Sequence, residues 1–136
     1  MNTMTLEKYE TIENVSIKNE VYENVVISGS YLNNVQFQNV TFKNCSFFGS
    51  KLNECQFTGC KFINCKFQFL NIANCNFISS NFINCVWEGS SGQMVLFENS
   101  HLDSKTLFFL GRMECFFKNC FSYEKPIHSE KDLMAA

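Results

Sequence analysis

Every cysteine in this chain sits at a multiple of five: Cys45, Cys55, Cys60, Cys65, Cys75, Cys85, Cys115 and Cys120. Chance agreement of that kind is roughly one in 80,000, so the chain has a true five-residue period. Two residues after each multiple of five stands a large apolar residue, as in Ile12, Ile17, Tyr22, Ile27, Leu32, Phe37, Phe42, Phe47, Leu52, Phe57, Phe62, Phe67, Ile72, Phe77, Phe82 and Trp87. Two residues further on, Asn or Gly dominates, as in Asn14, Asn24, Gly29, Asn34, Asn39, Asn44, Gly49, Gly59, Asn64, Asn74, Asn84 and Gly89. The unit reads small, polar, large apolar, any, Asn/Gly.

A period of five matches neither an amphipathic helix nor a long alternating strand. It suits a short extended segment followed by a turn. The small and the large apolar residue are two apart, so in an extended segment they point the same way. Asn and Gly tolerate the left-handed backbone of a tight turn. Four such segments around a square return the chain to its start after about 20 residues, and residues 20 apart then stack. The sequence obeys this second period. One column holds Phe37, Phe57, Phe77 and Phe97; the next holds Phe42, Phe62, Phe82 and Leu102. A third holds Phe47, Phe67, Trp87 and Leu107, and a fourth is aliphatic with Ile12, Leu32, Leu52 and Ile72. Asn24, Asn44, Asn64 and Asn84 form a column able to exchange amide hydrogen bonds. The expected fold is an all-β four-sided solenoid over residues 10–122, with about five to six coils and a length of roughly 27 Å.

Units such as Val40-Thr41-Phe42-Lys43-Asn44 and Cys60-Lys61-Phe62-Ile63-Asn64 resemble those of the pentapeptide-repeat family. The resemblance runs over residues 10–102 and, more weakly, 115–122. The family's usual unit begins with Ala and then Asp or Asn; here Cys, Val or Ser replaces Ala, and the second position is mixed (Thr41, Ser46, Gln56, Lys61). The resemblance implies a right-handed quadrilateral β-helix with a packed, dry interior. The best understood members resemble B-form DNA in shape and charge, bind type II topoisomerases and confer fluoroquinolone resistance.

The cysteines share their inward phase with Val35, Val40, Ser80 and Val95, so each thiol reads as a small core residue rather than as a disulfide partner or metal ligand. Stacked pairs such as Cys45 and Cys65 have parallel Cβ vectors, which place the sulfurs poorly for a disulfide. Metal sites need Cys and His converging from loops. His101 is outward and His128 lies in a polar tail, neither with a nucleophile or carboxylate beside it that spacing supports. No glycine-rich phosphate loop is present. The expectation is a non-enzymatic chain without cofactor or metal.

Net charge is -2, with 13 acidic against 11 basic residues, so no basic footprint points to direct binding of nucleic acid. No apolar run approaches the ~18 residues of a membrane span, and residues 1–9 lack the apolar stretch of a signal peptide; the expected location is the cytoplasm.

Function is expected on the outward positions. Ile63 and Ile83 stack one coil apart, Ile78 sits on the neighbouring face, and Phe48 and Val86 are outward by phase, with Lys61 and Lys66 nearby as a polar rim. These form a candidate partner patch. Residues 88–94, where Gly92 replaces a large residue, fit either a bulged loop or a plain turn. Residues 103–114 leave the pattern and are expected to cap the open end, as helix after Asp103-Ser104 or otherwise. Leu107, Phe108, Phe109 and Leu110 there read as a cap or as a seam for a homodimer, since relatives similar to topoisomerase inhibitors dimerise through their C-terminal ends. Residues 1–9 are expected as an N-terminal cap and 123–136 as a polar, frayed or weakly helical tail. The leading reading is a protein-interaction module with an unidentified partner. The alternative is a DNA-mimicking modulator of DNA gyrase or topoisomerase IV. That alternative needs acidic faces, whereas the middle coils present Lys43, Lys51, Lys61 and Lys66.

Overall fold

The computed structural model describes residues 10–122 and the backbone of a short strand at Pro126–Ile127. The expected N-terminal cap at 1–9, His128 and the remainder of the expected tail lie outside the described residues.

Each five-residue unit folds as a three-residue strand and a tight corner. The large apolar residue takes the middle of the strand and points inward, so the two flanking residues face water. The residue after each three- or four-residue strand from Thr11–Glu13 to Cys115–Lys118 sits at a positive φ of 51° to 64°, which is why Asn and Gly recur there. Glu54, Phe69, Ser79 and Met94 adopt the same left-handed backbone without that excuse.

Four parallel sheets result, each built from strands 20 residues apart in register. In chain order, the first sheet contains Thr11–Glu13, Tyr31–Asn33, Lys51–Asn53, Asn71–Ala73 and Ser91–Gln93. The second runs from Ser16–Lys18 through Gln36–Gln38, Gln56–Thr58, Asn76–Ile78 and Val95–Glu98 to Cys115–Lys118. The third contains Val21–Glu23, Thr41–Lys43, Lys61–Ile63, Asn81–Ile83, His101–Leu102 and Cys120–Ser122. The fourth is the shortest, with Val26–Ser28, Ser46–Phe48, Lys66–Gln68 and Val86–Glu88. The chain is thus a four-sided β-solenoid of about six coils.

The core is a set of ladders. Phe37, Phe57, Phe77 and Phe97 stack with ring centroids 4.6, 4.7 and 4.9 Å apart, and Phe42, Phe62 and Phe82 follow at 5.0 and 4.6 Å. Rings of adjacent columns meet edge to face, as Phe57 and Phe62 do at 5.6 Å. Offset and edge-to-face pairs of this kind contribute about 0.5–1.5 kcal/mol each beyond their burial. Every cysteine is a free, buried thiol. Their role is more specific than small filler. Cys65 Sγ donates to the Phe42 carbonyl (3.3 Å), Cys85 Sγ to Phe62 (3.2 Å) and Cys120 Sγ to Phe97 (3.1 Å). Serine does the same where it replaces Cys: Ser50, Ser80 and Ser100 Oγ donate to the carbonyls of Ile27, Phe57 and Phe77. Within the expected Asn column, Asn84 donates to Asn64 at 2.8 Å, and the same link joins Asn34 to Asn14 on another corner and Asn53 to Asn33 on the first sheet.

The C-terminal end closes with a helix rather than a further strand. Helix α1 spans Ser104–Leu110. Asp103 starts it: one carboxylate oxygen accepts from Thr106 N–H and the other from Cys85 N–H, both at 2.8 Å. The same side chain therefore caps the helix and accepts from the Cys85 N–H, as the Ser100 hydroxyl of the next coil accepts from the Ser80 N–H. Leu107 does not continue the column of Phe47, Phe67 and Trp87. Phe109 takes its place on Trp87, with centroids 5.8 Å apart, because one helical turn advances the chain less than a strand does. Residues 88–94 form no protruding loop: Ser91–Gln93 pairs in register with Asn71–Ala73. Gly92 is left without a side chain because Met113 fills its place, with Sδ only 2.8 Å from where a Cβ would stand. Pro126–Ile127, expected as frayed or weakly helical tail, adds instead as an antiparallel strand to Cys120–Ser122.

Candidate interaction surface

The expected patch does not form one surface. Ile63 and Ile83 are register partners on the third sheet, as their 20-residue spacing requires. Ile78 lies on the second sheet, while Phe48 and Val86 lie on the fourth. Positions of equal phase share an outward direction only if they also share a side of the square. Ile83 and Val86 flank the Asn84 corner; Ile63 and Ile78 are half-covered. Lys66 stands beside Val86 in the fourth sheet and Lys61 beside Asn81 in the third.

The fourth sheet and its surroundings carry five of the exposed large apolar residues, with Phe48 and Phe69 together at one corner, Val86 and Phe108 where the sheet meets α1, and Ser46 and Lys66 standing between Val26 and Val86. Val26, Phe48, Phe69, Val86 and Phe108 lie on the sheet, at its corner or on the helix that extends it, each 41% to 62% exposed. Phe69 was missed as a surface residue by the sequence reading, although the signal was there: it takes a turn position that Gly29, Gly49 and Gly89 take in the other coils. A bulky residue at φ 52° is strained. Its ring lies over Gly89, where a Cβ would come within 2.5 Å of Phe69 Cε1, and meets Phe48 edge-on at 5.6 Å. The rest of the exposed apolar residues are dispersed: Val21, Ile83 and Phe121 on different coils of the third sheet, Phe116 on the second, Met94 at a corner.

Where the fourth sheet ends, it forms a cleft of about 570 Å³ against α1. Val86, Trp87, Glu88 and Gly89 line one side; Ser104, Lys105, Phe108, Phe109 and Arg112 line the other. The proposed seam divides across this helix. Leu110 is buried, Leu107 and Phe109 are half-buried against the core, and Phe108 is exposed, so the four residues read as a cap or seam do not share one environment. A seven-residue helix turns one side to the core and the other away, which a period of five could not foretell. The Arg112 guanidinium lies 5.2 Å from the Phe108 ring centroid. Glu88 is held by Gln68, whose Nε2 donates to it at 2.9 Å. Trp87 Nε1 donates to buried Thr106 Oγ1 at 2.8 Å and so fastens the helix to the last strand.

The remaining candidates are placed as follows. His101 is exposed and stacks on Phe121 at 5.5 Å. Burial pushes the Cys60 thiol up to about 11, which removes the thiolate that reactivity needs. Among the described residues no cluster of His, Cys, Asp or Glu is placed to hold a metal ion, and no helix is long and apolar enough to cross a membrane.

A sequence model of pentapeptide repeats (8 copies) matches residues 23–59 and 42–77. Among curated proteins none matches the chain. Among solved structures, the pentapeptide repeat protein Rfr23 of the cyanobacterium Cyanothece 51142 is 12% identical, with 82% of this chain covering 83% of that one at a TM-score of 0.50. A pentapeptide repeat protein of the Arabidopsis thaliana thylakoid lumen is 13% identical over 89% of this chain and 88% of its own, at a TM-score of 0.46. QnrB1, a plasmid-mediated fluoroquinolone resistance protein, is 13% identical over 81% and 71%, at a TM-score of 0.41. At such identities the likeness to Rfr23 is one of fold. With its five-residue period, its four parallel sheets and the match to the repeat itself over residues 23–77, the chain carries pentapeptide repeats and folds as a pentapeptide-repeat β-solenoid.

Proposed function

We propose that this pentapeptide-repeat β-solenoid is a non-enzymatic interaction module whose partner docks on the fourth sheet. The observation that carries this reading is the exposed aromatic pair Phe48 and Phe69 on this side of the rod, together with Val86 and Phe108 exposed at the cleft beside α1. Exposed apolar surface grouped in this way marks association sites on folded proteins, and Phe69 accepts backbone strain to stand there. A photo-cross-linking residue placed at Phe69 should capture a partner protein in cells, whereas the same residue at Lys51 on the first sheet should not. Equal labelling at both positions, or none at Phe69, overturns the reading.

Self-association through the C-terminal end belongs to the same proposal, because Leu107, Phe109, Met113 and Phe117 cover the last coil yet are only half-buried. Sedimentation equilibrium tests it. For DNA mimicry, the lysines at 43, 51, 61 and 66 are the wrong charge for a phosphate stripe. Supercoiling and drug-stabilised cleavage by gyrase, with and without the purified protein, decide that alternative: protection at low protein excess would establish it.

A further inference from the structure

Two of the backbone ladders that join the coils along the fourth sheet stop at the cleft. In the first, the N–H groups of Gly29, Gly49 and Phe69 donate to the carbonyls of Phe48, Gln68 and Glu88 in the following coil, at 2.9 to 3.0 Å. The next donor is Gly89 N–H. Its counterpart would be residue 108, which α1 has carried away. In the second, Ser46, Lys66 and Val86 N–H donate to the carbonyls of Val25, Cys45 and Cys65. The next acceptor is the Cys85 carbonyl, and its counterpart, Thr106 N–H, donates to Asp103 instead. Gly89 N–H and the Cys85 carbonyl thus bracket a strand edge that has lost its ladder partners on the side facing α1.

Open strand edges are templates for pairing. This protein already fills one: Pro126–Ile127 adds to the terminal strand of the third sheet from outside the coils. At this end, besides Ser91–Gln93, whose Gly92 carbonyl accepts from Glu114 N–H, two terminal strands have no further strand on their outer edge among the described residues, Cys115–Lys118 and Val86–Glu88. The latter forms a wall of the cleft, whose volume lies within the ~300–1,000 Å³ usual for ligand sites. The opposite wall supplies two exposed cations, Lys105 and Arg112, neither in an ion pair among the described residues. The single acid on the lining, Glu88, is engaged by Gln68. Complementary chemistry is an extended backbone with acidic side chains, and a small apolar residue beside Val86 and Phe108.

We propose that the cleft between Val86–Glu88 and α1 takes an extended acidic segment of a partner protein, which adds to the fourth sheet as its fifth strand. Its backbone accepts from Gly89 N–H and donates to the Cys85 carbonyl, while its carboxylates meet Lys105 and Arg112. Strand addition of this kind draws affinity from main-chain bonds and specificity from alternate side chains. The inference rests on the interaction-module reading and names the class of partner.

The test uses the full chain and linear peptides selected from a random phage-displayed library, made as fluorescein-labelled synthetic peptides. Binding is followed by anisotropy, and by emission of Trp87, the one tryptophan, which lines the cleft. The selected peptides should be acidic and bind with a change in Trp87 emission. The Lys105→Glu/Arg112→Glu variant, altered at two exposed positions, should keep its thermal midpoint and bind at least about tenfold more weakly. N-methylation of alternate peptide residues should abolish binding, and methylation of the residues between should not, since a strand pairs on one edge with a period of two. Peptides without acids, or indifference to both N-methylation series, overturn the proposal. Binding lost in Phe48→Ser/Phe69→Ser yet kept in the charge-reversed variant overturns the cleft but leaves the interaction surface standing. Binding that requires removal of residues 128–136 makes the protein's own C-terminus the occupant and also overturns it.

Discussion

Tyr22 is the sharpest place to test the packing argument. It is the first aromatic of the column that continues through Phe42, Phe62 and Phe82, and its ring stacks on Phe42 at 5.6 Å. Its hydroxyl is buried and, among the described residues, the one buried side-chain oxygen or nitrogen without a hydrogen-bond partner. An unsatisfied buried hydroxyl costs about 1–3 kcal/mol of desolvation. Tyr22→Phe removes that cost and keeps the ring, in a column that holds Phe in the three coils that follow. Against this stands only the small space the oxygen leaves, less than a methylene at about 0.8 kcal/mol. The substitution should therefore stabilise the protein by about 1 kcal/mol, which for a chain of this size raises the melting midpoint by about 3–5 °C. Burial, and then the charge of Glu20, push the Tyr22 hydroxyl up to about 12. A raised folded value means stability that is intact below the ordinary value near 10 and is lost as pH rises from there through about 12. The substituted protein should escape that share of alkaline loss. Chemical denaturation at neutral and alkaline pH measures both effects. An unchanged or lower midpoint would refute the reasoning, because it would mean that the hydroxyl is satisfied.

The other core and cap positions make equally specific claims. Ser80 Oγ donates to the Phe57 carbonyl and accepts from Cys60 N–H; Ser80→Ala should cost about 1–3 kcal/mol and Ser80→Cys far less, read by urea denaturation. Gly92→Ile restores the aliphatic column but collides with Met113; it should destabilise by about 1–3 kcal/mol, and Met113→Ala should recover most of the loss in the double variant. Asp103→Ala removes both the helix cap and the acceptor of Cys85 N–H; it should cost more than the roughly 1 kcal/mol of an ordinary cap, with hydrogen exchange speeding first at Cys85 and along α1.

Much of the fold could be read before any coordinates, for a physical reason. In a solenoid each residue's direction is fixed by its phase in a short repeat, so Phe57 or Cys65 declares itself by number alone. The same logic explains the failures. Phase separates inside from outside, but it does not say which side of the square an outward residue decorates; that takes the 20-residue period, and Phe48, Ile78 and Ile83 belong to three different columns of it. Where the period lapses, phase carries nothing. Phe108 and Phe109 are adjacent and alike in sequence, yet one faces water and the other stacks on Trp87, because the choice is made by helix geometry and by the Asp103 cap.

The thiols show how a composition oddity becomes a structural rule. Each unit leaves the carbonyl of its large residue facing a small residue one coil on, and that carbonyl is buried. Alanine would fill the space without donating. Cys and Ser fill it and donate, as Cys85 does to Phe62 and Ser80 to Phe57. Val35, Val40 and Val95 take the same inward phase without a donor, so the position tolerates either volume or polarity but not bulk. The eight free cysteines then need no redox chemistry to account for them. Six of them, Cys45, Cys55, Cys60, Cys65, Cys85 and Cys120, are interior donors to the preceding coil in a rod whose chemistry faces outward, and the place where the rod's own bonding pattern runs out, at Cys85 and Gly89, is also where its surface is most ready to receive another chain.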